Sequence, residues 1–162
     1  MGPERLFTYE YYSQWNTARN MVSTDTAPGN LEAKLVDPAR KMFRVFTDAM
    51  AKDIAYYARI GIKNISTEVW DWDELNMYVY PRLLWHPEQS SQSIIADYCQ
   101  RAYGEAARPM LRHWLIVEEA REHYPQHKHE CLTLLEQAAS MTPDPDVLRR
   151  IRAVKDIWSH TQ

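Results

Sequence analysis

Hydrophobic residues along this chain follow two periods, one typical of strands and one typical of helices. Two short runs, Leu6–Tyr12 and Ile62–Trp70, are rich in β-branched and aromatic residues and predict strands. Side chains alternate between the two faces of a strand. In the second run the mainly apolar face holds Ile65, Thr67 and Val69, and the polar face holds Asn64, Ser66 and Glu68.

Between the two strands the pattern predicts a long loop and then one helix. Residues Ser13–Asn30 are polar and include proline and glycine, which favours a loop. Asp37 and Pro38 are typical of a helix start, and Gly61 is typical of the residue after a helix end. Thr47 and Asp48 are better caps than interior residues and mark a point where this helix can break. The apolar positions recur at steps of three and four, at Phe43, Phe46, Met50, Ile54 and Tyr57.

After the second strand the chain is predicted to be helical to its end. Pro81 lies inside the first of these helices and is expected to kink it, because proline has no N–H to donate. The longest has a broad apolar stripe that includes Met110, Trp114 and Val117 and is expected to face the core. The predicted helices are Leu75–Trp85, Ser91–Tyr103, Glu105–His123, Gln126–Ser140 and Asp144–Trp158.

The order strand, loop, helix, strand predicts a parallel β-α-β unit. A parallel sheet is normally covered on both faces and continues into further strands. Two architectures therefore stay open for this sequence. One is a small α+β protein with a two-stranded sheet on a helical core. The other is the C-terminal end of an eight-stranded β/α barrel followed by a helical extension.

Composition excludes some classes of function without selecting one. The chain has 162 residues, 45% of them hydrophobic, and a net charge of -3, which does not suit electrostatic binding of nucleic acid or an anionic membrane. No apolar run approaches the roughly 20 residues that span a bilayer. Cys99 and Cys131 are expected to be reduced, partly buried thiols rather than a metal motif.

The candidate chemistry lies at the ends of the two predicted strands, where each carries a glutamate beside aromatic residues. Carboxylates accept hydrogen bonds from sugar hydroxyls, and aromatic faces stack on pyranose rings. Parallel strands end at the same edge, so both glutamates are expected to line one pocket. As catalytic residues they are weak candidates. The predicted sugar-binding residues are Glu10, Tyr11, Tyr12, Trp15, Glu68, Trp70 and Trp72.

Histidines around residue 125 suggest a metal site that their spacing argues against. Ligands on one helix need a separation of three or four residues on one face, but Pro125 splits His123 from His127. His127 and His129 face different ways, and Glu130 adds one carboxylate. A polar turn between helices is favoured, and neither a metal nor a cofactor is predicted.

Two motifs in the helical part resemble a known bacterial family. Leu75–Pro87 reads LNMYVYPRLLWHP, close to the pattern L-N-x-Y-hydrophobic-x-x-K/R-L-L-W-D-P. Tyr98–Met110 reads YCQRAYGEAARPM, close to Y-Y-G-x-A-A-x-P-M. The chain is similar there to the C-terminal part of an uncharacterised family of glycoside-hydrolase-like proteins, domain of unknown function forty-eight thirty-eight. Its architecture is related to that of α-glucuronidases and β-hexosaminidases.

The resemblance extends from about Leu6 to Glu119, with two departures from the usual pattern. Pro81 stands where helix formers are common, and His86 stands where aspartate is common. Segments near Glu10 and Asp53–Tyr57 also fit the later barrel units of the family. The resemblance implies that the earlier strands, with the residues that do acid–base chemistry, lie upstream of this chain.

Taken with the resemblance, the sequence predicts a mostly helical α/β fragment. Residues 1–88 would form the last two strand–helix units of a TIM-type barrel, with strands near 6–12 and 62–70, and residues 89–162 a helical extension. The parent would bind or hydrolyse complex polysaccharide, and this chain alone would be inactive. The expected partners are carbohydrate and the missing N-terminal part of its own barrel. The alternative is a non-enzymatic helical interaction or glycan-binding module. The sequence does not fix the compartment, although such a parent would suit secretion or the periplasm.

Overall fold

The computed structural model describes residues 7–10, 43, 45–67 and 74–161, and these are mostly helical. The mostly helical class predicted from the sequence is therefore confirmed. Two short strands, β1 (Phe7–Glu10) and β2 (Asn64–Thr67), lie on either side of helix α1 (Thr47–Arg59) in the chain. The later helices are α2 (Glu74–Trp85), α3 (Ser91–Tyr103), α4 (Ala107–Ala120), α5 (Lys128–Ser140) and α6 (Pro145–Ser159).

The two strands pair in parallel, in the arrangement that the β-α-β order predicted. In the register, Phe7 lies opposite Asn64 and Glu10 lies opposite Thr67, so the strands are aligned from end to end. Each strand has one hydrogen-bonded neighbour among the described residues. The predicted loop Ser13–Asn30 lies outside those residues.

Helix α1 begins at Thr47, where the sequence predicted that a longer helix can break, and its start is held by contacts from distant residues. Phe43 and Phe46 were predicted on the helix, but both precede it, and the predicted start at Asp37 lies outside the described residues. The N–H of Phe46 donates to Asn76 Oδ1 at 3.2 Å. The hydroxyl of Thr47 and the N–H of Asp48 both donate to Glu118 Oε1, the latter at 2.7 Å. Carboxylate and amide oxygens from α4 and α2 thus replace a local cap.

Replacing Glu118 with alanine is expected to lower the free energy of unfolding by about 1–3 kcal/mol, because two donors at the start of α1 lose their charged acceptor. Urea denaturation measures the loss, and amide exchange at Asp48 should quicken. Glu119, the exposed neighbour, gives a matched control in Glu119→Ala. Equal effects of the two substitutions would contradict the capping role of Glu118.

Helix α1 ends where predicted, at a glycine in the left-handed region. Gly61 has φ 81° and donates its N–H to Ala58 O, while the Ile62 N–H donates to Tyr57 O at 2.9 Å. This pair of bonds is a Schellman motif, which satisfies the last carbonyls of the helix. The motif turns the chain from α1 directly into β2.

The later helices follow the predicted pattern, with corrections to two of them. The predicted helix Glu105–His123 is shorter, since α4 covers Ala107–Ala120 between 3₁₀ turns at Gly104–Ala106 and Arg121–His127. Arg121 has φ 50° and interrupts the helix, and Pro125 then lacks the N–H that an α-helix needs. The start predicted at Gln126 accordingly moves to Lys128.

A single hydrophobic cluster connects the elements from Phe43 to Trp158. Helix α4 packs against α3, which precedes it in the chain, and against α5, which follows it. The predicted core stripe of α4 is confirmed, with Met110, Trp114 and Val117 buried. The largest fully buried side chains of the cluster include Trp158, Tyr103, Ile54, Leu83, Ile94, Ile95 and Leu135.

Candidate functional site

The carboxyl ends of the two strands meet at one edge, as the candidate sugar site requires. Glu10 is the last residue of β1, and its register partner Thr67 is the last residue of β2. Glu68 is the next residue in the sequence after Thr67. The register therefore places the strand end at Glu10 beside the strand end at Thr67, and Glu68 lies outside the described residues.

The rest of the predicted sugar-binding group lies outside the described residues. The structure places Glu10 in a strand opposite Thr67, and it does not test whether the aromatic residues join it. These assignments stay predictions. They concern Tyr11, Tyr12, Trp15, Glu68, Trp70 and Trp72.

A polar cluster between α2 and α3 was not anticipated from the sequence. Tyr78 Oη donates to Asp97 Oδ2 at 2.6 Å, and Arg101 Nε donates to both carboxylate oxygens of Asp97 at 2.9 Å. The guanidinium of Arg82 lies 3.4 Å from the centre of the Tyr78 ring. Two pairs spaced by four residues, Tyr78 with Arg82 and Asp97 with Arg101, were the signal in the sequence.

The cluster shifts the acidity of its members in opposite directions. Hydrogen bonds from Arg101 and then Tyr78 lower the pKa of the Asp97 carboxyl. Partial burial and then the hydrogen bond to Asp97 raise the pKa of the Tyr78 hydroxyl. Asp97 therefore stays ionised and Tyr78 stays protonated at neutral pH. The arrangement holds charges in place on the surface and provides no group suited to proton transfer near neutrality.

A buried histidine lies among aromatic side chains in the core of the helical part. His113 is fully buried on α4, and Trp158 Nε1 donates to its Nε2 at 2.9 Å. Its Nδ1 has no hydrogen-bond partner among the described residues. Burial lowers the pKa of His113 to about 3, so the ring is neutral with its hydrogen on Nδ1. The rings of Phe43 and Trp114 pack edge-on against it.

The two cysteines are free and buried, as predicted. Burial raises the pKa of Cys99 to about 12 and that of Cys131 to about 12. A thiol of that pKa is protonated at neutral pH and is a poor nucleophile and metal ligand. Neither cysteine is therefore a candidate for catalysis.

Among the histidines near Pro125, His127 lies close to a carboxylate. His127 Nδ1 lies 3.7 Å from Glu130 Oε2. Across residues 7–10, 43, 45–67 and 74–161, no group of three or more histidine, cysteine or acidic side chains is arranged to hold a metal ion. The same part of the chain has no helix with the length and apolarity needed to cross a membrane.

Comparison with known proteins gives a match to a family described as a domain of unknown function. The architecture is that of a parallel β-α-β unit joined to a helical core. The family described as Domain of unknown function (DUF4838) matches residues 38–115, which contain both sequence motifs. The match over these residues confirms the resemblance to this domain of unknown function. No curated protein and no solved structure matches the chain.

Proposed function

We propose that this chain is the C-terminal end of a glycoside-hydrolase-like β/α barrel whose parent binds or hydrolyses polysaccharide. The observation that carries the proposal is the parallel register of β1 and β2, in which Glu10 lies opposite Thr67 at the carboxyl edge. Barrel enzymes build their sites at this edge of the strands. An acidic residue ending one strand and another directly following its neighbour fit such a site.

The barrel is supported by the pairing of the strands. Parallel strands are rarely stable as an isolated pair, and they need further strands beside them and helices on both faces. Here β1 and β2 each have one described neighbour, and α1 connects them as a crossover helix. A continuing barrel would supply the remaining strand neighbours.

The glutamates are assigned to substrate contact rather than to the full reaction. Glycosidases use two carboxyl groups, about 5–5.5 Å apart in retaining enzymes and wider apart in inverting ones. Glu10 and Glu68 are proposed to accept hydrogen bonds from sugar hydroxyls, with Trp70 stacking on a ring. The catalytic acid is assigned to an upstream strand, so residues 1–162 are inactive alone.

Substituting Glu10 or Glu68 with glutamine in the parent protein is expected to weaken both hydrolysis and sugar binding by at least about tenfold, because a charged acceptor becomes neutral. Hydrolysis of a panel of aryl glycosides and calorimetric binding of oligosaccharides measure the two effects. Glu88→Gln, at an exposed site after α2, serves as the control.

The outcomes separate the possible roles of the glutamates. Lost hydrolysis with retained affinity would make a glutamate catalytic rather than binding. Affinity without hydrolysis in the unsubstituted parent would make it a glycan-binding protein. Full activity and full affinity in both variants would contradict the assignment of Glu10 and Glu68 to a sugar site.

A further inference from the structure

Helix α2 has an apolar stripe on its solvent side as well as on its core side. Met77, Leu84 and Trp85 are 48%, 40% and 83% exposed, and Pro81 between them is also exposed. Their spacing of four, seven and eight residues from Met77 places them on one side of the helix. The opposite side is buried and carries Leu75, Val79 and Leu83.

This surface differs from that of the rest of the molecule. A helix that is apolar all round is usually a buried helix. Tyr56 on α1 and Ile60 just after it are also exposed, whereas the described residues after α2 expose one large hydrophobic side chain, Met141. The solvent-facing surface of α3 to α6 is therefore mainly polar. The exposed large hydrophobic side chains are concentrated on α2 and near the end of α1.

An ordered polar rim borders the stripe. The cluster of Tyr78, Arg82, Asp97 and Arg101 begins one residue after Met77 and fixes α2 against α3. Pro81 has no N–H, so the usual helical hydrogen bond from position 81 to the carbonyl of Met77 is absent. An apolar centre with a polar edge is the usual anatomy of a protein interface.

We propose that the exposed stripe of α2, formed by Met77, Pro81, Leu84 and Trp85, is the docking surface for an amphipathic helix from the upstream part of the same barrel. The inference rests on the proposed function. Helix α2 is the next described element after β2, and β2 has a described neighbour on one side. In a β/α barrel the strand on the other side of β2 would bring its own helix next to α2. One upstream strand–helix unit would therefore pair its strand with β2 and cover the apolar stripe of α2 with its helix.

Thiol labelling tests this docking surface. Leu84→Cys and, separately, Met77→Cys in the parent protein introduce a thiol within the stripe, and Gln137→Cys introduces one at an exposed position of α5. Rates of maleimide modification are followed by peptide mass spectrometry. The stripe thiols are expected to react at least about tenfold more slowly than the control. The buried native thiols, Cys99 and Cys131, should stay unmodified and thereby report that each variant is folded.

Two results would overturn the inference. Equal rates at the stripe and control positions would mean that the stripe is open to solvent. Protection that appears only as protein concentration rises would assign the stripe to a second copy of the chain. Sugar hydrolysis and binding are measured on the same samples. A protected stripe without sugar activity refutes the proposed function alone, and an active parent with an open stripe refutes the docking surface alone.

Discussion

Replacing His113 with glutamine is expected to remove much of the loss of stability that the chain undergoes on mild acidification. In the folded protein the pKa of His113 is about 3, against 6.5 for the unperturbed residue. As pH falls below 6.5 the unfolded chain binds a proton that the folded chain does not, so stability falls until about pH 3. Each pH unit in that window costs about 1.4 kcal/mol from this residue.

Urea denaturation at several pH values between about 7 and 4.5 measures the effect through the slope of unfolding free energy against pH. Glutamine can still accept the hydrogen bond from Trp158 but does not bind a proton. The unfolding free energy of the variant should therefore change less steeply with pH, by about 1.4 kcal/mol per pH unit, which corresponds to one proton. His123→Gln, at an exposed position, should leave the slope close to that of the unsubstituted chain. Parallel slopes for the His113 variant and the unsubstituted chain would contradict a neutral, buried His113.

Truncating Trp158 to alanine is expected to cost about 3–5 kcal/mol of unfolding free energy in the 162-residue chain. Its side chain is fully buried, and its ring centre lies 4.9 Å from that of Phe43 and 5.4 Å from that of Tyr124. The substitution leaves a cavity and also deprives His113 of its donor.

Trp85→Ala provides a control that removes the same side chain from the surface. Trp85 is 83% exposed, so its truncation in the 162-residue chain should change stability by no more than about 0.5 kcal/mol. Urea midpoints of the two variants give the comparison. A cost at Trp85 as large as that at Trp158 would show that the exposed stripe is already covered within this chain.

Much of the fold could be predicted from the sequence because its signals are local. Asp144 illustrates this, since its carboxylate accepts from the N–H groups of Asp146 and Val147 at 2.8 and 3.3 Å and starts α6 beside Pro145. Gly61 ends α1 for an equally local reason, the left-handed backbone that glycine adopts without strain.

The sequence marked Thr47 and Asp48 as a point where the helix can break, but the contacts that start α1 there could not be predicted, because they come from residues far along the chain. Glu118 and Asn76 hold the first turn of α1, and no rule of helix propensity refers to them. The apolar spacing of Phe43 and Phe46 continued the helical period by coincidence, since Phe43 instead contacts the aromatic rings of α4 and α6. His113 was missed for the same reason: its neutral state depends on burial by other elements.

For the candidate site, the sequence predicted the backbone position of Glu10, and the positions of the other site residues stay predictions. Alternation within each strand and the β-α-β order were sufficient to place Glu10 at a strand end beside the other strand. The sequence signals for the cluster of Tyr78 and Asp97 were ordinary pairs four residues apart, which are common on helices and rarely identify a site.

The position of Phe43 has a consequence for how such a chain can have evolved. Phe43 precedes α1, yet its ring completes the aromatic core formed by His113, Trp114, Tyr124 and Trp158. The C-terminal helices would lose part of their interior if they were transferred to another protein without this residue. A gene fusion at the segment between α2 and α3 would therefore have joined α3 to α6 without part of their core. We expect that these helices and Phe43 were inherited together.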